Sequence, residues 1–436
     1  MKNNKNNLSN TTKNIFSKLV KILLIVFVGF IFSSKELNIQ ICSNKIESIY
    51  NINRDSYINT LIINHASIID WFKGIFGGNT SNNISNSVRI TSNNVCSFIK
   101  ADTSGSKKVS DYCSDDNLHA NVYYADNESN NWALLIHGNM MSGKWMYSSV
   151  GQMYLDNDIN ILAIDLRGFG DSKGSVAMGF LESLDVMDWL DYLVREQNAK
   201  KIVIHGISLG GATTLQTLTL GGLNVEGIGQ LPQISSKNVV GVIDDCGYTS
   251  MTGVIRDMLP INSSDNNSFD TKANSLFGNT FNVTGFDNLK KSSLNLDSIS
   301  IDGLIKVVLT GNLVKTGLNS NNYDLYQDAF GNGRTADSNV KVMLVHGQGD
   351  TTVSPNNSKI VENKVGNNVI ETYYPESSPH AFIVAGQNKN DYTTHVNDFL
   401  KKLNLKSSNN NSSEDNNSDH SGFLDGIVGF FKGLFS

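Results

Sequence analysis

The sequence predicts a mixed α/β domain: a mostly parallel central sheet flanked by helices, with an inserted lid. Three observations carry that expectation. Short, continuous apolar runs recur at 132–136, 159–164, 201–205, 239–243, 340–345 and 369–374; a strand covered on both faces reads as such a run rather than as an alternation. Helical patterns lie between several of them, clearest at 181–195, where Leu184, Met187, Trp189, Leu190 and Leu193 recur among acidic residues. The rhythm then breaks from Met251 to Ala336, an Asn- and Ser-rich stretch of about 85 residues between two strand-like runs. A segment of that length, inserted between sheet strands, is expected to lie over the sheet's active edge.

The elements follow in chain order. Residues 1–35 carry Lys2, Lys5, Lys13, Lys18, Lys21 and Lys35 and no acid, although the whole chain has a net charge of −6. This basic leader runs into 19–32, apolar except for Lys21. Fourteen helical residues span about 21 Å, short of a bilayer core of roughly 30 Å, but Ile15 and Phe16 extend the stretch and the flanking lysines can snorkel. No small-x-small cleavage signal follows, so a retained anchor is expected, with a cleaved export signal as the alternative. The positive-inside rule then leaves the N-terminus in the cytoplasm and the rest of the chain outside. Residues 36–117 read as an Asn-rich extension with leading strands, and 118–405 as the core, its lid at about 251–336. Residues 406–421 form an Asn/Ser tether too polar to fold. The tail at 422–436 places Phe423, Leu424, Ile427, Val428, Phe431, Leu434 and Phe435 at helical spacing, an amphipathic segment suited to a membrane surface. Its Phe430-Phe431-Lys432-Gly433-Leu434-Phe435 nearly repeats Trp71-Phe72-Lys73-Gly74-Ile75-Phe76.

Composition excludes several classes. The acidic balance offers no electrostatic footprint for nucleic acid. Five prolines exclude a Pro-rich linker protein, and four cysteines exclude a disulfide-dense scaffold. No paired Cys/His cluster points to a metal. Outside the cell Cys96 and Cys113 could pair across a hairpin-like stretch, with Cys246 beside the core staying reduced.

Chemistry enters at the strand ends. The run at 201–205 leads into Gly206-Ile207-Ser208-Leu209-Gly210 and a helix-like stretch. This is a nucleophile elbow: the turn is so tight that only small residues fit two before and two after the serine. A nucleophile needs a base and an orienting acid, in the order Ser, acid, His. After the lid, a strand leads into His346-Gly347-Gln348-Gly349-Asp350, and the last strand leads to Ser378-Pro379-His380. Ser208, Asp350 and His380 are therefore the expected catalytic set, with Asp244 or Asp245 as alternative sources of the acid. The turn His137-Gly138-Asn139-Met140 ends the first core strand; Asn139, with Met140 second, and Leu209 are assigned the oxyanion hole. His137, His205 and His346 are expected as packed loop residues. His65, His119, His395 and His420 are expected to be solvated or local, and Asp165, Arg167 and Asp171 to bond within their loops.

These blocks resemble the α/β-hydrolase superfamily, specifically its membrane-anchored or cell-surface bacterial branch of serine-aminopeptidase-like hydrolases. The markers are Asp165-Leu166-Arg167-Gly168, Met178-Gly179-Phe180, Asp188-Trp189-Leu190, Gly206-Ile207-Ser208-Leu209-Gly210 and Asp245-Cys246-Gly247-Tyr248-Thr249-Ser250. The resemblance implies the α/β-hydrolase fold, an N-terminal anchor and a substrate class spanning esters, lipids and peptides. The expected activity is hydrolysis of a carboxylic ester through a Ser208 acyl-enzyme, without cofactor or metal. Peptide or amide hydrolysis is the alternative within enzymes, and a surface interaction protein with a vestigial hydrolase core the alternative outside them. The expected partners are a small-molecule or peptide substrate and the membrane, held by the N-terminal anchor; for the two Phe-Lys-Gly segments, packing on the hydrolase body or on each other competes with a second contact at the membrane surface.

Overall fold

Each of the six apolar runs forms a strand, and two further strands precede them in the same sheet. The computed structural model describes residues 86–102 and 113–405, apart from 140, 175, 252, 255–327, 382 and 385–387. The chain divides into Met1–Asn82 and Asn83–Ser436, and all described residues belong to the second unit. The basic leader, both Phe-Lys-Gly segments, the tether, the tail and most of the expected lid lie outside the described residues. Among the described residues, no helix is long and apolar enough to cross a membrane.

The domain begins with β1 (Asn86–Ile90), α1 (Asn93–Asp102), β2 (Leu118–Tyr123) and β3 (Asn131–Ile136). A helix then starts as α2 (Gly143–Met146), widens into a π turn at Tyr147–Gly151 and finishes as α3 (Gln152–Leu155). Next come β4 (Asn160–Asp165), α4 (Phe180–Arg195), β5 (Lys201–Ile207) and α5 (Leu209–Leu218). A two-residue pair, β6 (Asn224–Val225) and β7 (Gly229–Gln230), stands apart from the main sheet. The rest is β8 (Val239–Asp245), β9 (Lys341–Val345), α6 (Asn356–Val365), β10 (Val369–Tyr373) and α7 (Lys389–Lys402).

The main sheet has eight strands in the order β1-β2-β4-β3-β5-β8-β9-β10. β2 runs antiparallel to both neighbours, and every other pair is parallel. From β3 the order runs outward one way to β4 and the other way to β5. Ligand sites in open parallel sheets form at such a reversal, outside the strands' carboxyl ends. Register brings those ends level: Ile136 pairs with Gly206, Ile207 with Asp245, and Val345 with both Asp245 and Tyr373. The loops after β3, β5, β8, β9 and β10 thus leave the sheet along one edge.

Burial explains the apolar runs. Ala133, Leu135, Ala163, Val203, Ile243 and Met343 face one core, closed by Met146, Val150 and Tyr154 from the α2–α3 helix and Tyr392, Val396 and Phe399 from α7. The other face takes α5, packed on β3, β5 and β8, with α4 against it.

Several local expectations are corrected. His119 is not solvated: it is buried in β2, with its Nδ1 2.7 Å from Asp165 Oδ2 and its Nε2 2.9 Å from Ser87 Oγ. Arg167 reaches beyond its own loop: its guanidinium makes a two-pronged contact with Asp185 on α4, Nε and Nη2 each 2.7 Å from a carboxylate oxygen. Ser92 joins the same carboxylate, and Asp188 accepts both the backbone N–H and the side-chain amide of Asn94. These contacts seat α1 on α4, within the stretch read as an extension. Cys96 on α1 is disulfide-bonded to Cys113, and Cys246 is buried and free. At the insertion, Ser250 bridges to Asp328 and Ala329 N–H donates to Thr249, so its two ends lie side by side. Residues 328–336, read as part of the lid, include Ala329 and Arg334 buried on the body, where Arg334 reaches Gln216 and Thr219 of the α5 region.

Candidate active site

Strand β5 ends at Ile207 and helix α5 starts at Leu209, leaving Ser208 alone to turn the chain. It does so with φ 58° and ψ −115°, backbone that non-glycine residues adopt only when their surroundings hold it. What holds it is close packing. A Cβ on Gly206 would lie 2.1 Å from Gly210 O, and one on Gly210 would lie 2.1 Å from Ile136 O. The turn therefore closes only with glycine at both positions. Ser208 N–H donates to Asp245 O at 2.8 Å, pinning the elbow to β8. The start of α5 also leaves its first N–H groups without helical acceptors, beside the serine oxygen.

His380, the expected base, arrives from the loop after β10. Ser208 Oγ lies 2.7 Å from His380 Nε2, and His380 Nδ1 lies 2.6 Å from Asp350 Oδ2. The carboxylate can only accept, so Nδ1 carries the hydrogen and Nε2 is free to accept from the serine. Asp350 Oδ1 accepts backbone N–H groups from Thr352 and Val353 at 2.8 and 2.9 Å. Burial pushes this carboxyl up, but the donors His346 and His380 outweigh it and hold it well below the usual carboxylate range. It stays ionised beside the imidazole. The two loops meet closely because residue 347 is glycine: a Cβ there would lie 2.1 Å from Ser378 O.

The expected set is thus brought together from three strand ends. The alternative acids sit elsewhere. Asp245 Oδ2 accepts from Tyr392 OH at 3.1 Å, and Asp244 Oδ1 accepts from Gly247 N–H. Burial raises both to about 7. Gly138, in the turn expected to form the oxyanion hole, would bring a Cβ within 3.4 Å of Ser208 Cβ. Asn139 follows in that turn and Leu209 is buried at the start of α5, while Met140 lies outside the described residues.

Two of the three packed histidines are held by neutral partners. His137 accepts from Leu166 N–H and bonds Gly138 O, tying two strand ends together. His205, within β5 rather than a loop, lies between Tyr154 OH and Tyr392 OH at 2.8 and 2.9 Å. Burial lowers them to about 4 and about 3, so both are neutral near neutral pH. The third, His346, reaches Asp350, a contact the sequence reading missed; the four-residue spacing of His346 and Asp350 is the signal that could have found it. Cys246 and Ala381, at φ 47° and 58°, also frame the site. Among the described residues, two groups could hold a metal ion: Cys246, Asp350 and His380, and His119, Asp165 and Asp171. In each group one pair already bonds, His380 with Asp350 and His119 with Asp165.

The model of the alpha/beta hydrolase family matches residues 133–273, from β3 through the elbow into the insertion. That match, on a mostly parallel eight-stranded sheet flanked by helices, gives the chain the α/β-hydrolase fold. Two curated proteins, multifunctional-autoprocessing repeats-in-toxins of Vibrio cholerae and Vibrio vulnificus, are 34% identical to this chain over 80 residues. That match takes in 18% of this chain and 2% of theirs. Among solved structures, an esterase of Pyrococcus furiosus is similar at 17% identity and TM-score 0.42, covering 74% of this chain and 96% of that one. An alpha-beta hydrolase from Vibrio vulnificus is similar at 16% identity and TM-score 0.37, covering 65% of this chain and 79% of that one.

Proposed function

We propose that the protein is a serine hydrolase that cleaves a carboxylic ester through a covalent acyl-enzyme on Ser208. One observation carries this reading: the unbroken line Ser208 Oγ–His380–Asp350, with hydrogen bonds of 2.7 and 2.6 Å at the mouth of a strained elbow. His380 Nε2 takes the serine proton as Oγ attacks the acyl carbon. Negative charge then develops on the carbonyl oxygen, where the N–H of Leu209 and that of Asn139 serve as donors. His380 returns the proton to the departing alkoxide, and water repeats the sequence to release the acid. Asp350 holds Nδ1–H throughout and stabilises the imidazolium. An ester is favoured over an amide on intrinsic reactivity: its carbonyl has less resonance stabilisation to lose on attack, and an alkoxide is the better leaving group.

The basic leader, read as an anchor, supports a location of this chemistry on the outer side of a membrane. The Cys96–Cys113 disulfide supports that placement, since such bonds persist in oxidising compartments. Labelling with a fluorophosphonate tests the nucleophile, and p-nitrophenyl esters set against aminoacyl p-nitroanilides test the substrate class. The expected result is a single label on Ser208 and turnover of the esters. An unlabelled Ser208 would leave the interaction-protein reading, and faster turnover of the anilides would make the enzyme a peptidase.

A further inference from the structure

His346 stands at the carboxyl end of β9 and is fully buried. Its Nε2 lies 3.2 Å from Asp350 Oδ2 and 2.9 Å from Val353 O. Both partners can only accept, so Nε2 carries a hydrogen and shares it between them. Its Nδ1 lies 2.7 Å from the hydroxyl of Ser358, a buried residue of α6. The imidazole is thus clamped at both nitrogens, and one clamp is the acid that serves His380.

The consequence lies in how Asp350 is filled. An ionised carboxylate offers about four acceptor positions. Thr352 and Val353 N–H take those of Oδ1, and His346 and His380 take those of Oδ2. The backbone donors fix one oxygen, but rotation about the Cβ–Cγ bond is closed off only when the second is held from a rigid side. His380 cannot supply that, because it must exchange protons with Ser208 and substrate. His346 can, because its own far nitrogen is anchored to a helix.

We infer that His346 is a positioning residue for the reaction: by donating Nε2–H to Asp350 Oδ2 it aims that oxygen at His380. This rests on the triad reading proposed above. The titratable groups facing His346 are Asp350 on its own loop and Asp244 and Asp245 at the end of β8. Burial alone would lower its pKa, but the Asp350 hydrogen bond, the Val353 carbonyl and the charges of Asp350 and Asp244 together raise it.

The test compares His346→Gln with His346→Asn in the full chain. A glutamine amide reaches the place of Nε2 and keeps the donor to Asp350. An asparagine amide reaches only the place of Nδ1, keeping Ser358 and losing Asp350. His346→Asn is expected to lower kcat on an ester 10- to 100-fold, as small misplacements of catalytic groups do, with KM within about twofold. Its kcat/KM–pH profile should move to higher pH, because a carboxylate with one donor fewer is more basic toward His380. His346→Gln should stay within about threefold of wild type with an unmoved profile. Equal loss in both variants, or none in either, overturns the inference, because the histidine then only fills space. Fluorophosphonate labelling of the wild type separates the two levels. A labelled, active wild type with indistinguishable variants removes His346 alone; an unlabelled wild type removes the triad reading and this inference with it.

Discussion

The elbow that carries Ser208 and the pair of loops that carry Asp350 and His380 share one sheet edge but are built differently. At the elbow the backbone does the positioning. Gly206 and Gly210 admit contacts that a single Cβ would block at 2.1 Å, and Ser208 takes up a conformation with no room to relax. The side chain of Ser208 itself contributes nothing to this placement. On the loop side, side chains do the positioning: two imidazoles and two backbone N–H groups converge on one carboxylate. A nucleophile has to be exposed and stationary, which steric closure achieves. A base has to pass protons back and forth, which requires polar partners that can exchange them.

This contrast has consequences that mutagenesis can break or sharpen. The largest effect is expected in activity at unchanged fold. Ser208→Ala and His380→Ala should each lower kcat on the order of 10⁴-fold or more, and Asp350→Asn by about 10³–10⁴-fold, since triad members act as a unit. Steady-state kinetics with circular dichroism as the fold control measures this. Asp245→Asn should stay within about threefold of wild type; if it falls as far as Asp350→Asn, the acid has been assigned to the wrong strand.

The next effect is expected in stability. Gly210→Ala forces a methyl group against Ile136 O, backbone that cannot move aside. A cost of about 3 kcal/mol is expected, at the upper end for overpacking, which lowers Tm on the order of 10 °C. Ser208→Ala, which adds no atom, should leave Tm within about 3 °C of wild type. If the two variants melt together, closure of the elbow is not what holds the serine.

The smallest effect is a matter of pH. Burial raises Asp245 to about 7, above its unfolded value. Its proton is therefore held more tightly in the fold, and the stability it adds is fully present below about pH 3.8 and lost as pH rises through 7. Removing the carboxyl in Asp245→Asn takes away that loss. The Tm of the variant minus that of wild type should grow by a few degrees between pH 5 and pH 8. His205, in the same network, has the opposite sign: its folded value is lowered to about 3, so the stability it adds is present above about 6.5 and lost as pH falls below that. Both proteins keep it, so it cancels in the difference. Parallel curves would mean that Asp245 is ionised throughout, with a partner other than Tyr392.

The elements that could be read directly are those whose signal is local. Both faces of β3, β4 and β5 are covered, so their burial is written in consecutive apolar residues. The elbow is written in glycines because its geometry forbids anything larger. His119, Arg167 and His346 show where such reading stops. Each is polar, each is buried, and each is satisfied by a partner on another element: Asp165 for His119, Asp185 for Arg167, Ser358 for His346. Seen along the chain, a buried histidine and a solvated one look the same.

By itself, then, the sequence determined the strand rhythm and the tight turn at Ser208, because each depends on residues within one turn or one strand of each other; Asp350 and His380 could be picked out because each follows closely on a strand-like run. Only the tertiary structure decided that β2 runs antiparallel beside β4, that α1 seats on α4, and that Asp350 rather than Asp245 faces His380. The choice between those two acids turns on register across the sheet. Asp245 pairs with Val345, one residue before the loop that carries Asp350, and its carboxylate is taken by Tyr392 from α7. A distance of this kind is set by strands that are far apart in the chain and level in the sheet, and no local pattern records it.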